Sequence, residues 1–261
     1  MNTSAEGLRV LVTAGAAGIG RTIAATFLEH GARVHICDIE KGALDACRRD
    51  LSRATQSLAD VSKVGDVERL FADVRRELGG LDVLVNNAGI AGPTARVEDI
   101  RPEDWERCIA VDLNGMFYCT RLAMPMLKAN GRERGGSIVN LSSVAGRLGF
   151  GMRTPYAAAK WGVVGFTKSL AVEAGPDGIR ANCIQPGDVA GERIDRVIEA
   201  KAKAFGVSFD EQKEAVLSTS SLRVFVTGQD IANMALFLAT DAGRHISGQA
   251  LSVCGDKQRT I

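Results

Sequence analysis

The sequence predicts an α/β protein, a single doubly wound parallel sheet of about seven strands with helices on both faces. Three observations predict it. Short apolar runs alternate with longer helix-like segments along the 261 residues. The runs are apolar on consecutive positions, as in Val83–Val85, the pattern of strands covered on both faces. The first run ends in a glycine-rich turn that opens a helix, as in nucleotide-binding α/β sheets.

In chain order, Leu8–Thr13 reads as a strand and Gly18–His30 as a helix, then Arg33–Cys37 and Gly42–Arg53 repeat the pair. A third strand lies near Leu58, followed by a helix over Lys63–Leu78 and a strand over Leu81–Val85. Glu103–Lys128 reads as one long helix, Ser137–Leu141 as a strand and Tyr156–Ala174 as a helix. Thr154 is a candidate cap for that helix, with Pro155 suited to its first position. Arg180–Ile184, Gln229–Ala239 and Ala250–Val253 complete the series as strand, helix and strand. The helical, charged stretch 188–222 interrupts the rhythm where a crossover would be short, and is expected to form a lid. No linker or low-complexity tract divides the chain, so 1–261 is expected to be one domain, with 1–90 mainly its cofactor half.

Hydrophobic content is 46% and charged content 24%, enough apolar residues for a full core. A net charge of +1 leaves no basic footprint for nucleic acid or anionic membrane. No run of ~18 apolar residues is present to span a bilayer. Met1–Glu6 lacks the features of a secretory leader. Six cysteines include no Cys-x-x-Cys pair, so no metal site is expected; reduced buried thiols in a cytoplasmic protein are. The three histidines, His30, His35 and His245, fall in no catalytic pattern.

The chemistry-bearing residues cluster at strand ends. Thr13-Ala14-Gly15-Ala16-Ala17-Gly18-Ile19-Gly20 joins the first strand to its helix, where backbone can approach a diphosphate and the helix N-terminus favours its charge. Taken alone such a turn can be mere tight packing. Asp38 ends the second strand, where a carboxylate accepts from both ribose hydroxyls of an adenosine and repels a 2′-phosphate. No cation stands at Ala17 or Ile39; Lys41 is the nearest basic residue after the strand. NAD is therefore the expected cofactor. Asn86-Asn87-Ala88-Gly89 follows the fourth strand at the same edge. Ser143 ends the fifth strand, and Tyr156 and Lys160, four apart, share a helix face beyond it.

Together the Thr13–Gly20 turn, Asp60-Val61, Asn86–Gly89, Ser143, Tyr156-x-x-x-Lys160 and Pro186-Gly187 resemble the short-chain dehydrogenase/reductase family over essentially the full length. The resemblance implies a Rossmann-type fold and hydride transfer between NAD and an alcohol or ketone. It implies Tyr156 as general acid/base, Ser143 as holder of the substrate oxygen, and Lys160 as partner of the tyrosine and the nicotinamide ribose. Gly15, Gly18, Ile19, Gly20, Asn87, Pro186, Gly187 and Val189 would contact the cofactor, with Asp60 and Val61 at the adenine. A homotetramer follows from the resemblance alone.

Three positions depart from the family pattern. Ala14 replaces the first turn glycine, and cofactor binding is expected to survive in a slightly altered turn. Asp112 stands where the family has an active-site Asn; ionised, it only accepts hydrogen bonds, and is expected to serve the proton relay in that form. Gly191 stands where a Thr often holds the carboxamide, leaving that task to backbone. Arg147, Arg153 and Arg193 border the expected pocket and point to a polar or anionic small-molecule substrate such as a sugar or hydroxy acid. Phe205, Val207 and Phe209 of the lid could instead close over an apolar one. A 3-oxoacyl-thioester reductase and a non-catalytic nucleotide-binding regulator are the competing readings.

Overall fold

The computed structural model describes residues 3–260, apart from the side chains of Glu192, Arg193, Ala200 and Ala204. Seven strands, β1 (Arg9–Thr13), β2 (Arg33–Asp38), β3 (Thr55–Leu58), β4 (Val83–Asn86), β5 (Gly136–Leu141), β6 (Ile179–Pro186) and β7 (Ala250–Val253), form one sheet in the order β3-β2-β1-β4-β5-β6-β7. Every pairing is parallel. The order reverses between β1 and β4, which opens the crevice in which such sheets bind ligands.

Alternate residues of each inner strand feed opposite cores. Val10 and Val12 of β1 face one layer, packed by Ile23 and Phe27 of helix α1 (Gly18–Glu29), Leu44 of α2 (Lys41–Asp50) and Ile231 and Leu238 of α9 (Gly228–Ala239). Leu11 faces the other, with Leu70 and Val74 of α3 (Val64–Leu78), Leu127 of α5 (Gly115–Lys128) and Leu170 of α6 (Thr154–Ala174). Side chains such as Phe27 and Leu127, wholly buried, each stabilise the layering by about 1.5–3 kcal/mol.

Three local differences from the expected elements have physical causes. The long helix over 103–128 is interrupted. Helix α4 (Pro102–Ile109) runs into a wide π-turn (Ala110–Asn114) before α5 continues. An insertion of that kind leaves the apolar pattern helical, so periodicity does not betray it. Arg153, not Thr154, is the N-cap residue of α6; Thr154 is the first helical residue, Pro155 the second. The stretch expected to form a lid holds two helices, α7 (Glu192–Phe205) and α8 (Phe209–Leu217), the latter opened by a Ser208/Glu211 capping box.

Candidate active site

The cofactor edge is knitted from β1, β2 and β4. Thr13 Oγ1 at the end of β1 accepts from both Asn87 N and Ala88 N at 3.0 Å, and Asn87 Nδ2 donates to Thr13 O and Ala14 O at 3.0 Å. Ala14 has φ +48°, a left-handed conformation that glycine adopts without cost, so the replaced family glycine leaves strain of about 1 kcal/mol in the turn. Gly15 and Gly20 are required by space. A Cβ on Gly15 would lie 2.8 Å from Ile36 Cβ, and one on Gly20 would collide with Ala14 O and Asn87 Nδ2. Gly18 (φ +52°) and Ile19 open α1, whose N-cap Ala17 supplies no side-chain acceptor to the first turn. That turn thus presents backbone donors, which suit a diphosphate.

Asp38, 9% exposed, ends β2. Its Oδ2 accepts from Ala16 N and its Oδ1 from Glu40 N, both at 3.2 Å, so the carboxylate also braces the turn, a task its position in sequence did not reveal. Lys41 is engaged by Asp45 at 2.6 Å. Asp60 after β3 accepts from Ser62 N at 3.0 Å and Ser62 Oγ at 2.6 Å, and buried Val61 abuts Gly115, where a Cβ would approach its Cγ2 to 2.8 Å.

Ser143, Tyr156 and Lys160 gather at the ends of β5 and α6. Ser143 Oγ accepts from Ala145 N at 3.2 Å. Lys160, 4% exposed, lies with Nζ 5.5 Å from the Tyr156 ring centroid and donates to Leu141 O at 3.1 Å. Ser142 Oγ donates to Lys160 O at 2.8 Å. Gly89 and Gly146 leave room for this packing. A Cβ on Gly89 would sit 3.2 Å from Lys160 Nζ and from Asp112 Oδ1, and one on Gly146 would press Lys160 O at 2.6 Å.

The π-turn delivers Asp112 to the same spot. Its side chain is wholly buried; Oδ1 accepts from Ile90 N at 2.6 Å and Oδ2 lies 3.8 Å from Lys160 Nζ. Nearby Cys108 is inert, its thiol pushed up to about 11 by burial, with the Asp112 carboxylate adding to the effect.

Of the two described arginines read as pocket-facing, Arg147 and Arg153, the second stands at the tyrosine. Its guanidinium stands 5.4 Å from the Tyr156 ring centroid and 5.3 Å from that of Phe150, and Nη2 donates to Ala91 O at 2.6 Å. Arg147 turns away instead: Nη2 donates to Lys257 O at 2.6 Å, which commits it to the C-terminal segment. The Arg193 side chain lies outside the described residues. Phe205, Val207 and Phe209 are exposed.

Pro186 ends β6, Gly187 N donates to Val253 O at 3.0 Å, and Val189 bridges Val226. Gly191 has φ +136°, a backbone conformation that a β-branched residue such as threonine would resist. Sequence reasoning missed the C-terminal strap altogether. Lys257 Nζ, buried, is ion-paired with Asp188; Gln258 N donates to Thr219 O at 2.8 Å and Thr260 Oγ1 to Gly149 O at 2.7 Å. The strap therefore ties the foot of the lid to the loop before Tyr156. No motif marks it, because its contacts are scattered along the chain.

The family model described as enoyl-(acyl carrier protein) reductase matches residues 14–255. D-beta-hydroxybutyrate dehydrogenase of Cupriavidus necator is 35% identical over 257 residues, covering 96% of this chain and 97% of that protein. The chain belongs to the short-chain dehydrogenase/reductase family. A second relative of this short-chain dehydrogenase, the 3-oxoacyl-[acyl-carrier-protein] reductase FabG of Chlamydia muridarum, is 38% identical and covers 98% of this chain and 99% of its own. The crystal structure of an actinorhodin polyketide ketoreductase variant with NADPH superposes with a TM-score of 0.88 at 32% identity, covering 94% of this chain and 95% of that one. The protein is accordingly an oxidoreductase that acts on secondary alcohols or ketones with a nicotinamide cofactor.

Proposed function

We propose that this dehydrogenase uses NAD to interconvert a secondary alcohol and a ketone that carry an anionic group, a hydroxy acid and its keto acid. The observation that carries the reading is Arg153. Its Nη2 donates to Ala91 O, and its guanidinium lies 5.4 Å from the ring centroid of Tyr156. A guanidinium so placed binds a carboxylate through paired hydrogen bonds and fixes its orientation. The name of the hydroxybutyrate dehydrogenase relative agrees with this substrate class.

The nicotinamide, when bound, supplies or accepts the hydride. The chain's own groups do the rest. Tyr156 Oη gives a proton to the carbonyl oxygen in reduction and takes it back in oxidation. Ser143 Oγ holds that oxygen. Lys160, anchored on Leu141 O, sets a positive charge beside the tyrosine and grips the ribose. Asp112 keeps Lys160 in place and accepts from the relay water. Gly15, Gly18, Ile19, Gly20 and Asn87 cradle the diphosphate side, Asp60 and Val61 the adenine, and Pro186, Gly187 and Val189 the nicotinamide side.

NAD is favoured over NADP because Asp38 stands where a 2′-phosphate would go and Lys41 is already paired with Asp45. Kinetics with both cofactors test this: at least tenfold higher kcat/KM with NAD is expected, and equal or better use of NADP contradicts it. Residues 1–261 act as one domain, with 1–90 mainly the cofactor half and 188–222 the lid. Phe117, Trp161 and Val172, at 46, 51 and 81% exposure on α5 and α6, offer an apolar face for a second copy, in keeping with a homotetramer. All six cysteines are free and buried, which suits a cytoplasmic protein.

A further inference from the structure

Two segments leave the sheet beside Ser143. One is the loop that joins β5 to α6 and so separates Ser143 from Tyr156. The other follows Pro186-Gly187 at the end of β6, the neighbour of β5, where Ser142 N donates to Ile184 O at 2.8 Å. At their root they are joined by Gln185, buried near the end of β6. Its Nε2 donates to Gly146 O at 3.1 Å and its Oε1 accepts from Ser252 Oγ of β7 at 3.2 Å. Farther out the C-terminal strap joins them. Lys257, 4% exposed, is ion-paired through Nζ with Asp188 of the second segment, while its carbonyl accepts from Arg147 Nη2 of the first at 2.6 Å. The strap is itself fixed, with Ser221 N and Leu222 N donating to Asp256 O and Gly255 O, both at 3.1 Å. One lysine thus holds both segments, one by its side chain and the other by its backbone.

The first segment opens in a turn with no slack. Ser143 O accepts from Gly146 N at 2.8 Å and Ser143 Oγ from Ala145 N at 3.2 Å, and a Cβ on Gly146 would collide with Ser142 Oγ and Lys160 O. A shift of Arg147, the next residue, is therefore passed to Ser143 and Lys160, and ~1 Å of misplacement among reacting groups costs up to about 10²-fold in rate. A buried ion pair adds little stability over an apolar pair of similar volume, because desolvation consumes the attraction; what it adds is fixed geometry.

We infer that Lys257 and Arg147 are positioning residues: by tying the 144–153 loop to the segment after β6, they hold Ser143 and Lys160 in register with the substrate oxygen. The inference rests on the roles of Ser143, Tyr156 and Lys160 proposed above. It gives Arg147, which borders the pocket in sequence, a task exerted through the strap in place of contact with substrate.

The test uses the full-length enzyme with NADH bound, in wild type, Lys257→Met, Arg147→Met, Arg147→Lys and the double methionine variant. Amide hydrogen exchange is followed by mass spectrometry over residues 143–153, with β1 and β4 as reference. Exchange over 143–153 should be at least tenfold faster in each single methionine variant, with β1 and β4 unchanged. On the best-used member of a panel of secondary alcohols, hydroxy acids included, kcat should fall at least tenfold in each, with KM for NAD within twofold. The double variant should lose no more than about threefold beyond the worse single, because both substitutions break one tie. Arg147→Lys, which keeps a donor, should recover most of the rate. Arg147 is exposed, so Arg147→Met leaves the buried pair intact and carries the test should Lys257→Met not fold. Unchanged exchange over 143–153, or faster exchange spread equally over β1 and β4, overturns the inference. So do losses that multiply in the double variant, or an Arg147→Met loss confined to substrate KM, which would mark direct contact with substrate. A Tyr156→Phe variant that keeps wild-type turnover overturns instead the catalytic roles on which the inference rests.

Discussion

Asp112 is the most informative single position, because its charge and its shape do different things. Replacing it with Asn keeps the shape, and the side-chain oxygen can still accept from Ile90 N. What is lost is the attraction to Lys160 at 3.8 Å, about 4 kcal/mol at an effective dielectric near 20. Most of that is offset, because the burial cost of a carboxylate, itself several kcal/mol, is lost too. Lys160 keeps its hydrogen bond to Leu141 O. The net cost of Asp112→Asn is therefore about 1–2 kcal/mol. Asp112→Ala also strands the half-buried Ile90 N–H, worth about 1 kcal/mol or more, and opens space beside Gly89 and Lys160. It should cost about 2 kcal/mol more than Asn and let Lys160 shift. Urea unfolding of both variants, with kcat measured in parallel, provides the assay. Asn should keep turnover within about threefold and Ala should lose at least tenfold, a gap of at least ~0.7 kcal/mol in the barrier. Equal destabilisation and equal rates for the two variants would refute the division between charge and shape. An Ala variant as active as wild type would reduce Asp112 to packing.

Tyr156→Phe should abolish turnover, by a factor of at least about 10³, with NADH affinity nearly unchanged, since only the proton donor is removed; stopped-flow or steady-state rates alongside fluorescence titration of NADH check both halves. His35 predicts an acid-sensitive fold. It is buried, bonded to Thr55 Oγ1 at 2.7 Å and Ser57 Oγ at 2.9 Å, and burial lowers its pKa to about 4 despite the opposing pull of Asp73. The unfolded chain binds the proton near pH 6.5 and the folded one only near 4, so stability falls as pH drops between those values. Wild type should lose about 2 kcal/mol between pH 7.5 and 5, and His35→Gln should lose that much less over the same interval. Urea midpoints at the two pH values decide it.

The layer structure was legible because it rests on period. Consecutive apolar residues at Val83–Val85 and the glycine turn at 15–20 have one economical solution, and β1, β2, β4, β5 and β6 fall within a residue or two of their expected bounds. The positions of Tyr156 and Lys160 on one face of α6 were equally legible, since a spacing of four is geometric. What sequence could not give depends on the third dimension. The π-turn at Ala110–Asn114 costs one hydrogen-bond register and no change of residue type, so Asp112 could be named but not placed against Lys160. Arg147 and Arg153 look alike in sequence; only the fold sends one to the strap and the other to Tyr156. Lys257 carries no motif, and its pairing with Asp188 needs the C-terminal segment in place.

The central claim, an NAD-dependent reaction on an anionic secondary alcohol steered by Arg153, is tested most directly by NADH formation with the hydroxy-acid panel in wild type and Arg153→Ala. The account predicts turnover of at least one hydroxy acid by wild type, with KM for that acid raised at least tenfold in Arg153→Ala and KM for NAD within twofold of wild type. Unchanged KM for the acid in Arg153→Ala, or a wild type that oxidises neutral alcohols far better than any acid, would contradict it.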